Sequence, residues 1–336
     1  MQMKKRLYQS ALVALIAIGS AAMAARADTL LVADKSGFDV LLIDPATNKT
    51  VATLPTQHGP HEIAVSPDGR TAYVSNFGRW GVGEKAHNEP GNTITVIDVA
   101  NRKVKATWNL GDNRLPHGMA VSRNGKYVWL ALEQPASVIE LDAATGKILH
   151  QWKTNQTRSH MVVASKDQKK LYVSNIVSGT ESVLDLATGK MKTIPTGAGS
   201  EGNAISPDGR EVWVAVREEN NVAVISTATD KIVTKFPSGA KGPVRLAFTP
   251  DGSQVWVSNM TDSHVTVFDA HSRKLLGSVE VSPVCQGLVF SPDGRRAYVA
   301  DSSSNQVTVI DVATRKVAEV LPGGDEPDGI AWAHSR

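Results

Sequence analysis

The stretch from Gln286 to Pro327, QGLVFSPDGRRAYVADSSSNQVTVIDVATRKVAEVLPGGDEP, constrains the fold most, because the rest of the chain copies it. It holds four short apolar runs: Gly-Leu-Val-Phe, Ala-Tyr-Val-Ala, Gln-Val-Thr-Val-Ile and Lys-Val-Ala-Glu-Val-Leu. Each is rich in β-branched or aromatic residues and bounded by Gly, Pro, Asp, Asn or Ser, which is the pattern of strands separated by turns. Ser291-Pro292-Asp293-Gly294 is a tight turn in which Pro fixes one φ and Gly accepts a positive one. The stretch therefore reads as one four-stranded antiparallel unit of 42 residues.

Aligning the copies on their first strand makes His61, His117, His160, Glu201, Val244 and Gln286 equivalent, with Asp328 in a truncated last copy. Their spacings are 56, 43, 41, 43, 42 and 42 residues. A period of about 40–45 residues with four strands per copy is that of a β-propeller. The turn tetrad recurs at 66–69, 206–209 and 249–252, and decays to Ser-Arg-Asn-Gly at 122–125 and Ser-Lys-Asp-Gln at 165–168. The N-terminal copy supplies only three strands, at 30–33, 40–43 and 50–53, while Asp328 to Trp332 matches the missing first one. Pairing the two ends closes a ring without a dangling edge. The expectation is an all-β fold, a seven-bladed propeller closed by the C-terminal strand.

Tyr73-Val74-Ser75-Asn76, Tyr172-Val173-Ser174-Asn175, Trp256-Val257-Ser258-Asn259 and Tyr298-Val299-Ala300-Asp301 resemble the YVTN β-propeller repeat. The turn with Val-Ile-Asp appears at 96–98 and again from Val309 to Lys316. The resemblance covers nearly the whole chain after its N-terminal segment, and the YncE-like exported propellers are the nearest named group. It is specific for fold and poor for chemistry, since similar repeats occur in surface-layer proteins, haem d1 propellers and lactonase-type enzymes.

Residues 1–27 read as a secretory signal peptide: Lys4, Lys5 and Arg6 precede an apolar run from Ala11 to Ala24 and small-residue sites ending at Ala27. The run is short for a membrane span, so the expected mature protein, residues 28–336, is one propeller domain without a transmembrane segment, periplasmic or secreted, and a monomer. Removing the leader takes away four basic residues and leaves 32 Lys and Arg against 33 Asp and Glu, a net charge of −1. That balance lacks the broad basic footprint of a nucleic-acid binder. The single cysteine, Cys285, rules out an intramolecular disulfide and reads as a partly buried thiol.

One copy breaks the period. Its extra length lies in 77–92, FGRWGVGEKAHNEPGN, between its second and third strands, and reads as a Gly-rich insertion or a lid. The resemblance implies that the first strand of each blade lines the central channel, and that the connection into it shares a face with the loop between strands two and three. The ring at the channel mouth is then Asp328, His61, His117, His160, Glu201, Val244 and Gln286, overhung by the insertion with Trp80 and His87.

His61, His117, His160 and Glu201 are a candidate site for one transition metal ion, Zn, Cu, Fe or Mn, because imidazole and carboxylate donors suit these ions. Propellers are known to hold metals on this axis, so the geometry has precedent by analogy. The competing reading takes the histidines as copies of one ancestral connection lining a polar pocket. Arg217 and Arg245 are candidates for holding an anion, and Glu201 for a ligand or general base. Asn76, Asn175 and Asn259, at the ends of second strands, read as structural ties or ligand contacts beside Gln286 and Asp328. No Gly-x-Ser-x-Gly elbow, P-loop, His-Glu-x-x-His helix or Cys-x-x-Cys-His site is present, so covalent haem is excluded. Three functions stay open: a binding propeller for a small molecule, a metal-dependent hydrolase or lyase of lactonase type, and a scaffold for a periplasmic protein partner.

Overall fold

The computed structural model describes residues 28–79 and 89–334. Among them, 28 strands form seven antiparallel four-stranded sheets. The first blade joins the two ends of the chain. Its innermost strand is the C-terminal Pro327–Ala333, which pairs with Thr29–Asp34, followed by Asp39–Asp44 and Lys49–Pro55. Leu31 faces Ala331 and Val32 faces Ile330 across this closure. Blades two to seven follow in chain order at 60–109, 114–153, 159–195, 200–237, 243–280 and 285–322. No helix among the described residues is long and apolar enough to cross a membrane.

The burial of each strand follows from its place in the sheet. Second and third strands are covered on both faces by neighbouring blades, so Glu211–Val216 (EVWVAV) and Asn221–Ser226 (NVAVIS) are buried almost throughout. The outermost strand of the same blade, Lys231–Pro237, alternates toward solvent. The core is divided into clusters lying between adjacent blades. Trp213 of blade five meets Phe248 of blade six edge-on at 5.7 Å, while its indole N–H donates to Glu211 at 3.0 Å. The tryptophans of the second strands thus pack one blade on the next.

The repeated turn carries its own hydrogen bonds. Ser66 Oγ donates to Asp68 Oδ1 at 2.6 Å and accepts from the Thr71 N–H at 2.9 Å, with Gly69 at φ 69°. The decayed copies keep the device: Ser165 bonds Asp167 at 2.7 Å, and Gln168 takes the glycine position at φ 57°.

Two departures from the repeat are informative. Residues 77–79 and 89–92 of the insertion are not loop but a continuation of the hairpin, with Gly78 facing Pro90 and Arg79 facing Glu89. Residues 80–88, including Trp80 and His87, lie outside the described residues, as does the leader 1–27. The second departure is in the core. Where six blades place Val40, Ile94, Val138, Val222, Val265 or Val307, blade four has Glu181. It is fully buried and accepts from Asn203 Nδ2 at 2.6 Å. Asn203 itself stands where the other first strands carry Ile, Met, Val or Leu. Burial pushes the Glu181 carboxyl up to about 8, because no cation compensates its charge.

Candidate functional site

Each blade carries a β-bulge near the inner end of its first strand. Pro60 pairs with Asn76 and Ile63 with Val74, so three steps on one strand match two on the other. The same shift recurs between Ser159 and Val162, Ser200 and Asn203, and Cys285 and Leu288. A bulge re-aims the side chains it contains, and these contain the ring residues and the positions after them. The residue after the ring position is glycine in four blades because neighbouring backbones meet there. A Cβ on Gly329 would lie 2.2 Å from the His61 carbonyl oxygen, and one on Gly202 2.2 Å from that of Val244. Where the glycine is replaced, the side chain is Glu62, Met161 or Arg245.

The ring histidines come together as a stack. His61 and His117 have ring centroids 4.2 Å apart, and His117 and His160 3.4 Å apart. Phe77, at the base of the extended hairpin, packs edge-on against His61 at 5.0 Å and His117 at 5.5 Å. Carboxylates hold the two outer rings. Asp328 Oδ2 lies 2.7 Å from His61 Nδ1, in a direction that misses hydrogen-bond geometry. Glu133 Oε1 is hydrogen-bonded to His160 Nδ1 at 3.0 Å. The middle ring is different. His117 is fully buried and neither of its nitrogens has a hydrogen-bond partner among the described residues.

Buried polar groups are nearly always satisfied, and both nitrogens of this imidazole lack a protein partner among the described residues. Burial, with His160 and His61 adding to it, holds the His117 pKa well below its ordinary value, so the ring is neutral and keeps a lone pair. Burial also lowers His160 to about 4, although Glu133 opposes it. For Asp328, burial works the other way, but His61, Lys35 and Arg245 outweigh it and keep the carboxylate ionised far into acid.

Donor atoms of His61, Glu62 and His117 all lie within 4.8 Å of one another. The carboxylate of this group is Glu62 rather than the expected Glu201. Glu201 Oε2 is 2.6 Å from Arg217 Nη1, and its Oε1 is 4.0 Å from both His160 Nε2 and Arg245 Nη1. Arg245 crosses the channel to Glu62 Oε1 at 2.5 Å, so its guanidinium is bound within the protein and is no free anion receptor. Lys35, which the ring alignment does not reach, is 3.2 Å from Asp328.

The asparagines are ties, as their hydrogen bonds show. Asn76 Nδ2 donates to Thr93 and Thr95 hydroxyls at 3.0 Å. Asn175 reaches Ser182 and Asn259 reaches Thr266, each at 3.0 Å. All three are fully buried, and these bonds join strands two and three. Gln286 sits apart from the histidines, its amide 3.6 Å from Met260 Sδ. Cys285 is buried and its thiol is pushed up to about 12 by burial and by Asp301, which makes it inert.

A family model described as a YncE-like β-propeller matches residues 114–290, more than half of the chain. The chain belongs to the YncE-like β-propeller family. A second model, the SMP-30/gluconolactonase/LRE-like region, matches residues 17–177. No curated protein matches the sequence. Solved structures similar to this YncE-like propeller include Kuenenia stuttgartiensis hydrazine synthase, 23% identical with a TM-score of 0.74, covering 85% of this chain and 92% of that one. A functionally unknown protein from Desulfotomaculum acetoxidans is 14% identical with a TM-score of 0.77, covering 92% and 99%. The dihydro-heme d1 dehydrogenase NirN, in complex with DHE, is 17% identical with a TM-score of 0.66, covering 90% and 74%. At these identities the likeness is one of fold, and the chemistry of the channel rests on its own residues.

Proposed function

We propose that this protein is an exported ligand-binding propeller holding one divalent transition metal ion at its channel mouth through His61, His117 and Glu62. What carries the reading is His117, fully buried with both ring nitrogens unpartnered beside two further donors. Leaving such a group unsatisfied costs about 1–3 kcal/mol, which an ion would remove. Two imidazoles and one carboxylate form a donor set that suits Zn, Cu, Fe or Mn, and Asp328, 2.7 Å from His61 Nδ1, stands where a supporting carboxylate stands beside a metal-bound histidine. Export rests on the charged and apolar residues 1–27.

A second reading, hydrolysis or lysis of a small lactone or ester at the same site, is favoured by the gluconolactonase-like match over residues that include all three histidines. A bound ion would there polarise a carbonyl and activate water, while Glu201, buried with its pKa raised, would serve as a proton acceptor or donor. Calorimetric titration of metal-free protein with Zn²⁺, Cu²⁺ and Mn²⁺ tests the first reading. One site per chain is expected, absent in His117→Leu; no site for any of the ions refutes it. Lactone turnover that needs His117 would favour the second reading over simple binding.

A further inference from the structure

The channel mouth carries a rim of cations above the histidines, and its construction says what kind of molecule completes it. Lys35, Arg158 and Arg217 stand there with side chains 30%, 41% and 29% exposed. Each is held from below by a carboxylate that is almost wholly buried: Asp328 at 3.2 Å, Glu133 Oε2 at 3.1 Å and Glu201 at 2.6 Å. Lysine has three donors and arginine five, so the anchoring carboxylate, and for Arg217 the exposed Glu218 at 3.9 Å as well, leaves N–H groups on each for a ligand arriving from solvent. The three cations flank the histidine stack. Lys35 lies at the Asp328 and His61 end, whereas Arg158 and Arg217 lie at the His160 and Glu201 end.

Arg158 occupies a position that recurs in every blade. The residue two before each ring position is left-handed in all seven blades, and Gly59, Gly199 and Gly242 fill that position in three of them. Arg158 adopts φ 68° there, a conformation strained for a residue with a Cβ. Its side chain is the one at this position that brings a cation to the histidines, through Glu133. Leu115, Val284 and Glu326 adopt the same conformation at their copies of this position, so what sets Arg158 apart is the cation it carries and not the strain.

The formal charges give the rest. Lys35, Arg158, Arg217 and Arg245 balance the buried carboxylates Glu62, Glu133, Glu201 and Asp328, while Glu218, 3.9 Å from Arg217, is solvent-exposed and screened. Ligated imidazoles are neutral, so a divalent ion would leave the mouth with two uncompensated positive charges. We infer that the metal-loaded mouth takes a small dianion, a dicarboxylate or a phosphate, gripped between Lys35 on one side and Arg158 with Arg217 on the other. This rests on the metal reading above and narrows it to a ligand class.

The test is calorimetric titration of Zn²⁺-loaded protein with malonate, with inorganic phosphate and with neutral malonamide, in the wild type and in Arg158→Gly and Lys35→Met. Glycine suits the left-handed backbone at position 158, so that variant keeps its fold while losing the cation. The expected result is binding of a dianion but not of malonamide, weakened about tenfold or more in each variant with zinc content unchanged, as the loss of one charge-assisted contact implies. Preference between malonate and phosphate identifies the head group. Normal zinc uptake with no dianion binding, or with binding undiminished in Arg158→Gly, overturns the inference and leaves the metal site standing. Failure to take up zinc or any other divalent ion removes both.

Discussion

Replacing Glu181 by Gln should stabilise this propeller, and by an amount that grows with pH. The glutamine keeps an oxygen to accept from Asn203, as Glu181 Oε1 does at 2.6 Å, but removes a carboxyl that burial pushes from 4.5 to about 8. A folded-state pKa above the unfolded one means that the unfolded chain releases a proton at neutral pH. The contribution of the protonated carboxyl is therefore fully present below about pH 4.5 and is lost as pH rises toward 8. Each pH unit in that window is worth about 1.4 kcal/mol, so at pH 7 the wild type gives up about 3 kcal/mol that the amide does not. For a domain of about 300 residues this corresponds to a rise in Tm of about 5 °C. Melting both proteins at pH 5, 6, 7 and 8 reads the effect directly. A Tm difference that widens with pH is expected. A difference that stays constant across the series would refute the argument, because it would mean that Glu181 is not protonated in the folded state.

Two further substitutions test the frame around the site. Asn76→Ala should cost about 1–3 kcal/mol in denaturant unfolding by stranding the strand-three hydroxyls it bonds, while leaving metal uptake intact; loss of uptake in a stably folded variant would make Asn76 a site residue after all. Gly329→Ala should destabilise by about 1–3 kcal/mol or more, since its Cβ would press on the His61 carbonyl of the next blade. A neutral result there would mean that the inner strands are not held backbone to backbone.

The fold was legible because a propeller writes its period into the chain, and the truncated first copy and the extra C-terminal strand named each other. The ring was legible for the same reason: one alignment column selects His61, His117 and His160, and the bulge in each blade turns that column to the channel. The ring column offered Glu201 as the carboxylate, whereas the donor group that the geometry brings together holds Glu62 of the following column. Glycine at 118, 202, 287 and 329 is required there by close backbones, so the three exceptions, Glu62, Met161 and Arg245, were the signal. Lys35, Phe77, Glu133 and Arg217 share another column, at the end of the second strand; Glu133 and Arg217 were legible there from the repeat, while Lys35 and Phe77 emerge only from the contacts between blades.

The asparagines could have been placed from the sequence alone. Asn175, Asn259 and Asp301 each have a hydroxyl seven residues on, at Ser182, Thr266 and Thr308. The blades with Leu132 and Val216 at that position carry Ile139 and Ala223 instead. This internal pairing is the mark of a structural hydrogen bond.

The account turns on His117, and the most direct test is the metal content of the protein purified without a histidine tag, beside His117→Leu. Leucine fills the same buried space without donors, so the metal-free variant should be at least as stable as the metal-free wild type. About one divalent metal ion per chain in the wild type, and none in the variant, is the predicted result. A wild-type protein that carries no metal as purified and binds none on reconstitution would contradict the metal site and leave the three histidines as a stacked remnant of blade duplication.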